Sequence, residues 1–77
     1  MGEMVMNKYD KYLQKHFDKR FKQYEDSIEW YVNPKENQWR FYIPELNVEI
    51  SMACVFFYGK PHVYHITKRR EGNGASV

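Results

Sequence analysis

Apolar residues recur at helical spacing over the first third of the chain. Met6, Tyr9, Leu13, Phe17, Phe21, Tyr24 and Ile28 fall on one stripe, because each residue of a helix turns about 100° from the last. Lys8, Lys11, Lys15, Lys19 and Lys22 occupy the opposite side. The stripe has to face a core, so the lysine ridge has to face water. A helix is therefore predicted from Lys8 to Tyr24. Asn7 is a competent N-cap, and Asp10 lies three residues on, near capping-box spacing, where a carboxylate also complements the helix dipole. The run contains no Gly, Pro, Val, Ile or Thr to oppose it.

From Ser27 the period shortens to two. Ile28, Trp30 and Val32 alternate with Glu29, Tyr31 and Asn33, the pattern of a half-buried strand. Asn33-Pro34-Lys35-Glu36-Asn37 has turn composition, and the returning strand puts Trp39, Phe41 and Ile43 on one face with Arg40 and Tyr42 on the other. Pro44-Glu45-Leu46-Asn47 breaks the ladder, since proline has no backbone N–H to donate. A third strand runs from Val48 to Phe57, with Val48, Ile50, Met52, Cys54 and Phe56 inward and Glu49, Ser51 and Ala53 outward. Its second half is apolar on both faces, as in a strand covered on both sides. Gly59-Lys60 reads as a two-residue hairpin turn, and Pro61 opens a fourth strand from His62 to Lys68.

These elements predict an α+β fold: one N-terminal amphipathic helix packed on an antiparallel β-meander of three to four strands, paired in the order 1-2-3-4. The expected organisation is a flexible N-terminus over 1–6, a single domain over 7–68, and a disordered tail over 69–77 that lacks apolar content. The expected core is Leu13, Phe17, Phe21, Tyr24, Ile28, Trp30, Val32, Trp39, Phe41, Ile43, Val48, Ile50, Met52, Cys54 and Phe56.

A chain of 77 residues buries only a little over ~60% of its unfolded surface, so its stability margin is small. Aromatic residues, 18% of the chain, offset this by the large area each removes from water. The single cysteine, Cys54, cannot close an intramolecular disulfide, and the longest apolar run, Met52 to Tyr58, is far too short to span a bilayer. A cytoplasmic location without membrane contact is the expectation. The net charge of +2 requires any electrostatic partner to recognise a local patch.

No catalytic signature, metal-ligand spacing or phosphate-binding loop is present, so neither cofactor, metal, small-molecule ligand nor enzymatic activity is expected. His62 and His65, three apart in a strand, point to opposite faces and lack companion ligands. His16 reads as a structural residue on the helix flank. Cys54 reads as a small buried hydrophobe.

Two surfaces are available for binding. Tyr31, Arg40, Tyr42 and Phe57 project from the sheet face that one helix cannot cover, and Val55, Val63 and His65 are expected beside them. Tyr and Arg are enriched at protein interfaces, so a protein partner or a second copy of the chain is expected there. The second surface is the ridge of Lys8, Lys11, Lys15, Lys19 and Lys22, joined by Lys68, Arg69 and Arg70 if they share its edge. It would neutralise nucleic-acid phosphates, although a lysine-rich face also simply solvates a surface helix.

Trp39-Arg40-Phe41-Tyr42-Ile43, Val55-Phe56-Phe57-Tyr58, the His62 to Ile66 strand and Lys68-Arg69-Arg70 together resemble the C-terminal sheet of the RelE/HigB-type ribonuclease toxins. The likeness is one of residue classes over about half the chain. It implies RNA cleavage with Arg40, His65, Lys68 and Arg70 as the residues to test, whereas those toxins place two helices before the sheet and this chain has room for one. The leading expectation is a small non-enzymatic protein, of the kind mobile elements encode, that regulates or inhibits a larger macromolecule by occupying its surface.

Overall fold

A computed structural model describes residues 7–32 and 35–70. The expected flexible N-terminus, Met6 of the apolar stripe, Asn33-Pro34 and residues 71–77 of the expected tail lie outside them.

The chain enters its helix through the capping geometry its sequence predicts. Asn7 Oδ1 accepts from the backbone N–H groups of Tyr9 (2.8 Å) and Asp10 (2.9 Å), and Asp10 Oδ2 accepts from the Asn7 N–H (3.2 Å). This reciprocal pair satisfies donors that helix starts otherwise leave open. Helix α1 spans Asp10–Arg20, and Lys22–Tyr24 continue as one 3-10 turn. The helix therefore ends earlier than predicted, at Phe21 (φ −125°, ψ −1°), whose ring packs inward on Phe41 at 5.3 Å. Ser27 fixes the junction that follows: its Oγ donates to Glu45 Oε1 (2.6 Å), tying it to the turn between the second and third strands.

Four strands follow, β1 (Glu29–Trp30), β2 (Gln38–Ile43), β3 (Val48–Phe57) and β4 (Lys60–Arg69), in one antiparallel sheet of order β1-β2-β3-β4. β1 is shorter than its period-two pattern suggests. Only Glu29 and Trp30 pair with Tyr42 and Phe41, and one further backbone bond runs from Tyr31 N to Arg40 O (3.0 Å). Pro44 to Asn47 form the predicted turn, with Asn47 at φ 55°. The β3–β4 turn sits one residue before the predicted position, on Tyr58 (φ 52°) and Gly59 (φ 76°). Two consecutive positive φ values belong to the turn type that matches strand twist, which Gly adopts without strain and Tyr does not. β4 includes Arg69, expected in the tail, and the Arg70 N–H still donates to Asn47 O (3.1 Å).

α1 lies across β3 and β4 and reaches Phe41 of β2. Leu13, Phe17, Phe21, Phe41, Ile43, Ile50, Met52 and Cys54 form the buried core, with Tyr24, Ile28, Trp39, Val48 and Phe56 half-buried around it. Two expected core residues are not core: Val32 is 81% exposed and Trp30 half exposed. Both lie on the β1 side, beyond the strands the helix covers. Conversely Ala53, expected outward, is buried between its cross-strand neighbours Gln38 and Tyr64. β4 forms one edge of the sheet, where Pro61 and the charges of Lys60, Lys68 and Arg69 hinder the addition of another strand.

Candidate functional site

The sheet face opposite α1 divides into a polar and an apolar half. In the polar half, Glu49 of β3 lies among side chains from three other segments. Arg40 Nη2 approaches its carboxylate at 3.8 Å and Arg70 Nε at 3.4 Å. The Arg40 guanidinium stacks 4.7 Å from the Tyr31 ring centroid, and that of Arg70 stacks 3.6 Å from Tyr42 while donating to Tyr31 Oη (3.2 Å). Tyr42 Oη donates to Asn47 Oδ1 (2.7 Å), and Asn47 Nδ2 donates to Arg70 O (3.0 Å). The Tyr31 hydroxyl, seconded by Arg70, holds the Glu49 carboxyl below its usual range. Tyr31, Arg40 and Tyr42 therefore project where the sequence predicts, locked in a preformed network.

The apolar half belongs to β3 and β4. Val55 and Phe57 face the same side as His62, Tyr64 and Ile66, through the cross-strand pairs Val55↔His62, Ala53↔Tyr64 and Ser51↔Ile66. Phe57 is 59% exposed, Tyr64 50% and Ile66 60%. The Phe57 ring meets those of Tyr58 and His62 edge-on at 5.3 and 5.9 Å. The β4 members correct the sequence expectation. Val63 and His65 point instead to the helix side, opposite Cys54 and Met52, and Tyr64 and Ile66 take their places on the outer face. The signal was present: across a two-residue turn the numbers of facing residues sum to an odd value, so odd positions on β3 share a face with even positions on β4.

On the helix side His65 meets His16. Nε2 of His16 and Nδ1 of His65 lie 2.9 Å apart, joining α1 to the edge strand beside Phe21. Burial first, and then His65, Arg20 and Lys19, push the His16 pKa below its ordinary value; burial and Arg20 do the same to His65. A hydrogen bond between two neutral imidazoles suits that environment. Burial likewise pushes the Cys54 thiol up, away from the nucleophilic thiolate.

All five ridge lysines are exposed. Lys8 lies 5.0 Å from the Phe56 ring centroid, Lys11 5.4 Å from Tyr12, and Lys22 pairs with Glu25 at 3.7 Å. Lys68 and Arg70 do not extend this ridge, because both share the Glu49 side of the sheet, away from the helix. The four residues implied by the toxin resemblance do not converge either: Arg40, Lys68 and Arg70 lie on the uncovered face and His65 on the other. Among the described residues no group of three or more His, Cys, Asp or Glu is placed to hold a metal, and no helix is long and apolar enough to cross a membrane. Comparison with family models, curated protein sequences and solved structures returns no match for this chain.

Proposed function

We propose that this protein is a non-enzymatic binding module that regulates or inhibits a larger protein by laying its uncovered sheet face on that protein's surface. The observation that carries this reading is the contiguous exposure of Val55, Phe57, Tyr64 and Ile66 on β3 and β4, on the side away from the helix. Contiguous apolar area of this kind, rimmed by polar groups, is the usual mark of an interaction surface. Beside it, the arginine and tyrosine side chains of the Glu49 network are already ordered, so less conformational freedom is lost when a partner covers them. The partner's chemistry follows from the rim. β4 contains no Asp or Glu, and Lys60, His62 and Lys68 flank the apolar patch on the same face. An apolar surface with acidic margins is the complement.

The test is affinity isolation from the native cell with three tagged proteins: the natural chain, Phe57→Ser/Ile66→Ser, and Lys11→Gln/Lys15→Gln/Lys19→Gln. Capture of the same protein by the first and third, but not the second, is expected. Capture lost only in the lysine variant and abolished by nuclease would replace this reading with the nucleic-acid one, which rests on the exposed ridge. Self-association that disappears in the Phe57/Ile66 variant would make the occupant a second copy of the chain.

A further inference from the structure

At the β1–β2 end of the sheet, a pocket of about 540 Å³ opens between the end of α1, the following turn and the first two strands. Its volume lies within the range of small-molecule sites, about 300–1,000 Å³. Four aromatic residues line it: Phe17 from the helix, Trp30 from β1, Tyr31 just after β1 and Trp39 from β2. The two indoles meet at 81° with centroids 5.8 Å apart, forming a corner, and Phe17 lies 5.5 Å from Trp30. Each indole is held in place, Trp39 by donating Nε1–H to Asp10 Oδ1 (3.4 Å) and Trp30 by packing on Phe41 at 4.9 Å. Trp30 nevertheless remains half exposed, a large apolar surface left open at the pocket.

The charged lining sets the sign of the ligand. Glu25 and Asp26 contribute carboxylates, and Arg40 a guanidinium. The Arg40 guanidinium is turned onto the Tyr31 ring and shares the Glu49 carboxylate, at 3.8 Å, with Arg70 at 3.4 Å. Glu25 has Lys22 at 3.7 Å, and Asp26 has no ion pair among the described residues. Among the described residues that line the pocket, the carboxylates outnumber the guanidinium two to one, and Asp26 is the one left without an ion-pair partner. Indole faces are electron-rich and attract cations, best those with a thin hydration shell, and a right-angled pair of rings surrounds such a group on two sides.

We propose that this pocket binds an alkylated ammonium group, with Trp30 and Trp39 contacting the cation, Phe17 closing the apolar wall, and Glu25 and Asp26 supplying the counter-charge. The group can belong to a free quaternary amine or to a methylated lysine side chain. The pocket lies apart from the apolar patch on β3 and β4 but shares Tyr31 and Arg40 with the polar half of that face.

Trp30 and Trp39 are the only tryptophans in the chain, so intrinsic fluorescence reports on the pocket directly. The probes are choline, its uncharged carbon isostere 3,3-dimethylbutan-1-ol, and a short peptide carrying trimethyl-lysine or unmodified lysine. Choline is expected to change the emission saturably and to bind about tenfold more tightly than the isostere, as a cation–π contact near 1.4 kcal/mol would give. If only the methylated peptide binds, the cation comes from a side chain; if choline binds as well as that peptide, no peptide context is needed. Either outcome supports the assignment. Glu25→Gln/Asp26→Asn, at exposed positions, should weaken choline binding several-fold without altering the melting temperature. Trp30→Leu should abolish the preference for charge, and Trp30→Phe should retain part of it, with circular dichroism confirming that both are folded. Saturable binding of choline and the isostere with equal affinity, equal binding of the methylated and unmodified peptides, or no saturable change with any probe would overturn the assignment.

Discussion

Phe17→Ala should be among the severe single changes in the core. The ring is almost wholly buried and meets Trp30 and Phe41 at 5.5 Å, Phe21 at 6.1 Å and Trp39 at 6.3 Å. A buried aromatic side chain removes about 150–250 Å² from water, worth about 4–6 kcal/mol at ~25 cal/mol per Å². Alanine retains some of that area, and the ring of neighbours cannot fully collapse, which brings the expected loss to about 3–5 kcal/mol. At roughly 0.05–0.15 kcal/mol per residue, a domain of this size has about 4–12 kcal/mol in total. The variant should therefore melt at least about 12 °C lower, or be unfolded at room temperature, in thermal scans followed by circular dichroism. Lys15→Ala, on the opposite side of the same helix, should stay within about 0.5 kcal/mol of the natural chain. A near-neutral Phe17→Ala together with a damaging Lys15→Ala would refute the orientation of α1 and the packing built on it.

Asn7→Ala removes the acceptor for two N–H groups and should destabilise the domain by about 1 kcal/mol, measured by urea unfolding, with Asn7→Asp close to neutral. The depressed pKa values of His16 and His65 mean that the folded state disfavours their protonation, so stability should be level above about pH 6.5, the unfolded value, and fall as the pH drops below it. His16→Gln/His65→Gln should flatten that slope in melting scans, whereas stability lost as the pH rises through 6.5 would contradict the neutral pair. Glu49, depressed by Tyr31 and Arg70, stabilises the fold above its ordinary range and should add a separate loss only below about pH 4.3, one that Glu49→Gln removes. If the lysine ridge binds nucleic acid, affinity should fall with salt at a log–log slope of about 0.7–0.9 per phosphate contact, and Lys11→Gln/Lys15→Gln/Lys19→Gln should lower that slope.

What the sequence discloses and what it hides divide along physical lines. The helix, its cap, the β2 and β3 boundaries and the strand order are local or nearest-neighbour properties, and the spacing of Leu13, Phe17 and Phe21 or the alternation from Trp39 to Ile43 carries them. The limits of β1 are not local. Ile28, Trp30 and Val32 alternate like a buried strand, but their burial depends on where the helix crosses the sheet, and it crosses over β3 and β4. The β3–β4 turn was obscured because Tyr58 occupies a left-handed position that tyrosine rarely adopts. Of the sheet face opposite the helix, Tyr31, Arg40, Tyr42 and Phe57 were legible from alternation, while Tyr64 and Ile66 required the pairing arithmetic across the turn. The Arg70 link to Glu49 and the His16–His65 contact join residues 21 and 49 positions apart, and no local pattern announces either.

The most direct measurement of the proposed function is a nitrogen-15 and methyl chemical-shift titration of the labelled protein with the partner isolated from the native cell. Shifts and line broadening should concentrate at Val55, Phe57, Tyr64 and Ile66 and spread to Arg40, Tyr42 and Arg70, while Lys11, Lys15 and Lys19 stay unchanged. Tyr64→Ala or Phe57→Ala should then weaken binding by about 2 kcal/mol or more if those residues are hot spots, with little change in melting temperature. Perturbations confined to the helix ridge, with the β3 and β4 face undisturbed, would contradict the account.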